Sequence, residues 1–279
     1  MTSVQGSGGV KAKGLIVSSR ITIGGVLLAG SVLASSNSLR AETNNDRAVA
    51  QQLLPQNSFH SLSHWRRLYG DQLSFEVTRN GKPAGSYQVN FSGNDNNWKV
   101  ESRMALDFKA FLFFPYRFRY LGIEQWQGHQ LTRFTSRIDR NGELSETFLT
   151  RSQDANGLPF WRGGLRQSPK GKPARESVKP LTNGSHNLAL SNHYNHSIIQ
   201  QNQLFNSLSG ALNQIQLKKE DLERVSDGRE EVLATRYRYT GDLKDTWVWY
   251  AHDRRWLRMR FIADDGSSIQ LNCQRCYPD

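Results

Sequence analysis

From Leu73 onward the residues alternate in hydropathy with a period of two, and this limits the fold more than any other feature. Leu73, Phe75 and Val77 alternate with Ser74, Glu76 and Thr78. Successive side chains of an extended strand point to opposite faces, so such a run buries one face and wets the other. Asn80-Gly81 follows, a pair suited to a tight hairpin because both residues tolerate positive φ. Tyr87, Val89 and Phe91 resume the phase. After a turn at Asn94 to Asn97, Trp98, Val100, Ser102, Met104, Leu106 and Phe108 keep one phase along a long strand. Tyr116, Phe118 and Tyr120 then alternate with Arg117 and Arg119. Leu131 to Ile138 continues, and Asn141-Gly142 turns the chain into Leu144 to Thr150. Long strands joined by short turns describe an antiparallel meander.

The pattern returns near the C-terminus. Ala211 to Leu217, Val232 to Tyr239 and Thr246 to Tyr250 read as strands. Leu257, Met259 and Phe261 alternate with Arg258 and Arg260, Asp265-Gly266 turns, and Ile269, Leu271 and Cys273 close the sheet. Residues 152–184 break the rhythm. They are rich in Gly, Pro, Lys and Arg, and read as a strand fragment at Leu158 to Trp161 and a loop from Gly163 to Pro173, an irregular crossover. Ser191 to Gly210 reads as a short helix or irregular segment. Upstream, residues 42–70 form a helical or irregular lead-in. Pro55 ends or kinks its first part. Leu62, Trp65, Leu68 and Tyr69 share one face of a short helix that Gly70 closes. The expected fold is mostly β: one large curved antiparallel sheet over residues 71–279, half-barrel-like, with one or two short helices.

Residues 1–41 read as a signal peptide. Lys11, Lys13 and Arg20 stand before a 14-residue apolar or small stretch, Ile21 to Ala34, and Ser35 to Ala41 offers a cleavage site before Glu42. The stretch is short of the roughly 20 residues that span a bilayer core. No Cys stands near the cleavage site for lipidation, and no Arg-Arg pair marks a twin-arginine route. The expected product is a periplasmic protein of a Gram-negative bacterium, exported by the general secretory route and not integral to a membrane once cleaved. The whole chain has 36 Lys and Arg against 25 Asp and Glu; four of the basic residues and no acid lie in the leader, which leaves 32 against 25, a net charge of +7. Export argues against nucleic acid as partner, so the charge reads as a solvated basic surface with some affinity for anionic envelope components. The two cysteines, Cys273 and Cys276, can form a local disulfide in an oxidising compartment. The spacing also suits redox chemistry, but the surroundings lack a strand–helix context.

Several segments together resemble a known family. They are Phe75-x-Val77-x-x-Asn80-Gly81-Lys82, Tyr116 to Tyr120, Glu124-x-Trp126-x-Gly128 with Leu131, and Asp139-x-Asn141-Gly142. Further on come Tyr194-Asn195, Gln201, Leu204, Asn206 and Gly210, then Trp249-Tyr250 and Trp256. In this order they are similar to a bacterial exported family catalogued as a domain of unknown function, number 6134. The likeness spans about Leu73 to Leu271. It differs where the family usually has Trp-Asn-Pro and this chain has Tyr194-Asn195-His196. The resemblance implies a compartment and a fold, and no reaction or cofactor.

No catalytic, metal or cofactor motif stands out. His193 and His196 could face one way as metal ligands if helical, or serve as turn and cap residues beside Asn195. Glu124 shares a strand face with Trp126. It reads as the ion-pair partner of Arg117, Arg119 or Arg133, or, if buried, as a general acid. Phe111, Phe113 and Phe114 belong to an apolar run that an alternating strand cannot bury on both faces. The run is either core or, with Tyr116, Arg117 and Arg119, the mouth of a site for a lipid with an anionic head. The function expected is non-enzymatic binding of a lipid-like or other apolar envelope molecule. The alternatives are an envelope hydrolase using Glu124, His193 or Asp242, and an assembly or scaffold protein. The sequence leaves the oligomeric state open.

Overall fold

The computed structural model describes residues 60–110, 114–169, 173–183 and 188–278. The leader and most of the lead-in lie outside the described residues, as do Phe111 and Phe113. A helix, α1 (Leu62–Tyr69), precedes the strands β1 (Gln72–Arg79), β2 (Lys82–Asn94), β3 (Asn97–Ala110), β4 (Phe114–Gln127), β5 (Gln130–Arg140), β6 (Glu143–Gln153), β7 (Pro159–Ser168) and β8 (Arg175–Asn183). After a short 3-10 helix at His196–Gln200 come β9 (Gln203–Phe205), β10 (Leu212–Ser226), β11 (Glu231–Gly241), β12 (Thr246–Ala251), β13 (Trp256–Ile262) and β14 (Ser268–Arg275).

All the strands belong to one antiparallel sheet that does not close, in the order β8-β7-β6-β5-β4-β3-β2-β1-β14-β13-β12-β11-β10-β9. The chain builds outward from β1 to one edge and returns from the other edge to β14, beside β1. The hairpin signals hold: Asn80 and Gly81 adopt φ of 49° and 77°, Asn141 and Gly142 of 53° and 89°. Alternation sets the faces. Phe75, Val89, Val100, Phe118, Phe134, Ile138 and Leu149 are buried on the inner face. The residues beside them along each strand point to the outer face and are polar or half-exposed.

The inner face is covered by the chain itself. Trp65 and Tyr69 of α1 stack on Phe91 with ring planes 9° apart. Residues 188–210, which include β9, run through the interior between β8 and β10. Their contacts reach strands far apart in the sheet: Phe205 meets Phe134 of β5, the Ser207 carbonyl accepts from Ser136 and Thr147 of β5 and β6, and His193 meets Tyr239 of β11 and Trp256 of β13. A sheet can touch one segment at both β5 and β11 only by bending around it. The Tyr69 hydroxyl joins three parts of the core, accepting from the Trp256 backbone and donating to the Tyr194 carbonyl, both at 2.9 Å.

The stretch read as an irregular crossover at residues 152–184 is instead two further strands, β7 and β8. Gly163 and Gly164 suggested a loop. They sit in β7 because neither position has room for a side chain. A Cβ on Gly163 would lie 2.6 Å from Leu181 Cδ1, and one on Gly164 would lie 2.2 Å from the Ser177 carbonyl oxygen and 3.0 Å from the Phe148 ring. The Gly164→Ala variant is therefore expected to lose about 2 kcal/mol in a denaturant titration. An unchanged midpoint would mean that β7 and β8 are not packed this closely.

Candidate functional site

The residues singled out in sequence divide between the two faces of the sheet. Glu124 and Trp126 stand on the inner face of β4, one place apart in the alternation. Arg117 and Arg119 stand on its outer face, as does Arg133 of β5, the register partner of Gln125. The expected ion pair of Glu124 with one of these arginines is therefore excluded by parity. Arg117 pairs with Asp139 at 3.0 Å and Arg119 with Asp107 at 2.7 Å. Tyr116 stacks on Phe108, 4.8 Å between ring centres.

Glu124 is 1% exposed and has three neutral donors instead. Asn192 Nδ2 donates to Oε1 at 2.5 Å, while Trp126 Nε1 and the Tyr194 hydroxyl donate to Oε2 at 2.9 and 2.6 Å. Burial raises its pKa, against the opposing pull of the bonds from Tyr194, Asn192 and Trp126. The same residues border a cavity of about 20 Å³, together with Asn195 and Ile198. That is room for about one water molecule, too little for an organic substrate. Asn195 is used locally: its side chain accepts from the Ser197 N–H at the start of the 3-10 helix. His193 bonds through Nε2 to the Tyr239 hydroxyl at 2.9 Å, and burial holds its pKa down at about 4. His196 packs edge-on to Tyr250. Among the described residues no group of three metal-ligating side chains comes together. The hydrolase alternative required Glu124, His193 and Asp242 in one cleft. The first two are buried with separate partners, and Asp242 is exposed and accepts from the Gln214 N–H. This inner cluster fastens residues 192–194 to the sheet.

Cys273 and Cys276 are joined by a disulfide, and both are buried. Arg255 holds the turn beside them, bonding Asp227 and the Cys276 carbonyl at 2.8 Å each.

The outer face of β2 to β8 carries the larger concavities. One of about 450 Å³ is lined by Gln88, Arg103, Arg119, Leu121, Arg137 and Leu144 among others. A second of about 370 Å³ is lined by Leu121, Ile123, Arg133, Arg137, Phe148 and Arg166 among others. They meet at Leu121 and Arg137. The floor is apolar and half-exposed, and arginines stand around it. Of the residues selected in the sequence, Arg119 lines the first concavity and Arg133, read there as a partner of Glu124, lines the second. The others that do were missed, although a signal was present. In Tyr120-Leu121-Gly122-Ile123, Leu121 and Ile123 occupy the phase that Arg117 and Arg119 mark as solvent-facing. The side chains of Phe111, Phe113 and Phe114 are not among those described.

A model of the family described as Domain of unknown function (DUF6134) matches residues 75–274, and the chain belongs to that family. Among solved structures the chain is similar to the crystal structure of a β-barrel-like protein of domain of unknown function DUF1849 from Brucella abortus. The TM-score is 0.50 and the identity 12%, with 75% of this chain and 97% of that chain covered. At that identity the likeness speaks for the fold alone. No curated protein matches the chain.

Proposed function

We propose that this family member is a non-enzymatic binding protein for a lipid-like or other apolar molecule of the bacterial envelope, held on the outer face of its sheet. The observation that carries this reading is the pair of adjoining concavities floored by Leu121, Ile123 and Phe148. A concave apolar surface with a few polar groups around it is the usual form of a small-molecule site. The inner face, the first place to expect a ligand in a curved sheet, is occupied by residues 188–210. The proposed compartment is the periplasm, reached through the leader; among the described residues no helix is long and apolar enough to cross a membrane. N-terminal sequencing of the mature protein should find its start near Glu42, and a start at Met1 would overturn the export reading.

Native mass spectrometry of the protein purified from its own host tests the binding role. A bound apolar molecule is expected on the wild type and is lost in Phe148→Asp, whose melting temperature serves as the control for folding. A wild type that carries no such molecule ends this reading.

A further inference from the structure

We infer that the molecule held on the outer face is a lipid with an anionic head, a phosphate or carboxylate, and that Lys99, Arg133 and Arg162 receive that head; this rests on the binding role proposed above. The strand register places the three cations in one row across the sheet. Lys99 pairs with Gln125, Gln125 with Arg133, Arg133 with Thr150 and Thr150 with Arg162. They stand on alternate strands, so neighbouring cations begin roughly 10 Å apart, a span that two long side chains can close around one head group.

These cations are exposed, and among the described residues their side chains have no ion pair or hydrogen bond. Of the other arginines that line the concavities, Arg103 pairs with Glu101, Arg119 with Asp107, and Arg166 with Glu146 and Glu176, while Arg137, across an apolar strip from the row, is exposed like the three. Lys99, Arg133 and Arg162 thus form a line of three cations without a carboxylate partner among the described residues. A guanidinium offers paired N–H donors that match phosphate or carboxylate oxygens.

The adjacent row, two residues along each strand, carries Ile123, Phe148 and Val178, with Thr135 and Gly164 between them. Ile123 pairs with Thr135, Thr135 with Phe148, Phe148 with Gly164 and Gly164 with Val178. This strip crosses four strand spacings, roughly 19 Å. Gly164 has no side chain and lies against the Phe148 ring, which keeps the strip low between its neighbours. The arrangement of a cation row beside an apolar strip fits an amphiphile and not a bare anion.

The test is calorimetric titration with lysophosphatidic acid and lysophosphatidylcholine, both below their aggregation concentrations. The expected result is at least tenfold tighter binding of the anionic lipid. Lys99→Gln, Arg133→Gln and Arg162→Gln combined should bring its affinity down to that of the zwitterionic lipid, whose own affinity stays unchanged. Equal affinities in the wild type would overturn the head-group assignment and leave the binding role standing. No binding of either lipid would overturn the binding role itself. Inorganic phosphate binding as tightly as the lipid would reveal a bare anion site and overturn the inference. Sedimentation with phosphatidylglycerol vesicles without binding of monomeric lipid would overturn it in favour of a membrane surface.

Discussion

Glu124→Ala is expected to lower the unfolding free energy by about 3 kcal/mol or more. The carboxylate accepts from Asn192, Trp126 and Tyr194, and all three donors are inside the protein. Removing the acceptor strands each of them, at about 1–3 kcal/mol for an unsatisfied buried donor, partly relieved by water entering the enlarged cavity. Glu124→Gln should cost much less, about 1 kcal/mol. Its carbonyl oxygen can accept from Trp126 and Tyr194, and the Asn192 amide can turn to accept from its NH₂ group. Guanidinium titrations of the two variants measure the difference. Equal losses would mean that charge, not acceptor capacity, is what the site requires, and a small loss in Glu124→Ala would mean that residues 192–194 are held by other contacts.

Acidification from pH 6.5 to 4 is expected to remove about 3 kcal/mol of stability through His193 alone. Burial lowers its pKa from 6.5 to about 4, with a bond to the Ser191 backbone opposing the shift. The unfolded chain therefore takes up a proton first as pH falls. The stabilising contribution is complete above pH 6.5, falls between 6.5 and 4, and is gone below. His64 and His196 are also lowered to about 4 by burial, but both are partly exposed and contribute less. Glu124 acts in the opposite direction, because burial raises its pKa: the stability tied to its neutral form is present below 4.5 and is lost as pH rises beyond that. His193→Gln should be less stable than wild type at pH 7.5 and should lose less on going to pH 4.5. Parallel pH profiles for the two proteins would remove His193 as the cause.

The regular part of this architecture is written locally. Phe75-x-Val77, the run from Trp98 to Phe108 and the Asn-Gly turns each specify strand, face and hairpin within a few residues. What escapes is set by contacts between distant segments. Gly163 and Gly164 carry turn chemistry in isolation, and only the approach of Phe205 and Ser177 makes them strand residues. The parity of Glu124 against Arg117, Arg119 and Arg133 was available in the sequence, whereas its bonds to Asn192 and Tyr194 depend on a segment 68 to 70 residues away folding back inside the sheet. The outer rows are legible only once the register aligns β3 to β8. Each strand contributes a single residue to each row.

The neighbouring positions of β1 and β14 bear on when this sheet can be completed. Val77 pairs with Leu271, so the central seam joins positions roughly 190 residues apart. A chain emerges from the ribosome N-terminus first, and β1 has its hairpin partner β2 almost at once, but its other edge waits for β14. Until then an edge in the middle of the future sheet remains unpaired, open to pairing with another chain. The topology thus defers completion of the central seam until β14 has emerged. Truncations that remove β14 should leave both halves with a raw edge, and aggregation is the expected outcome for them.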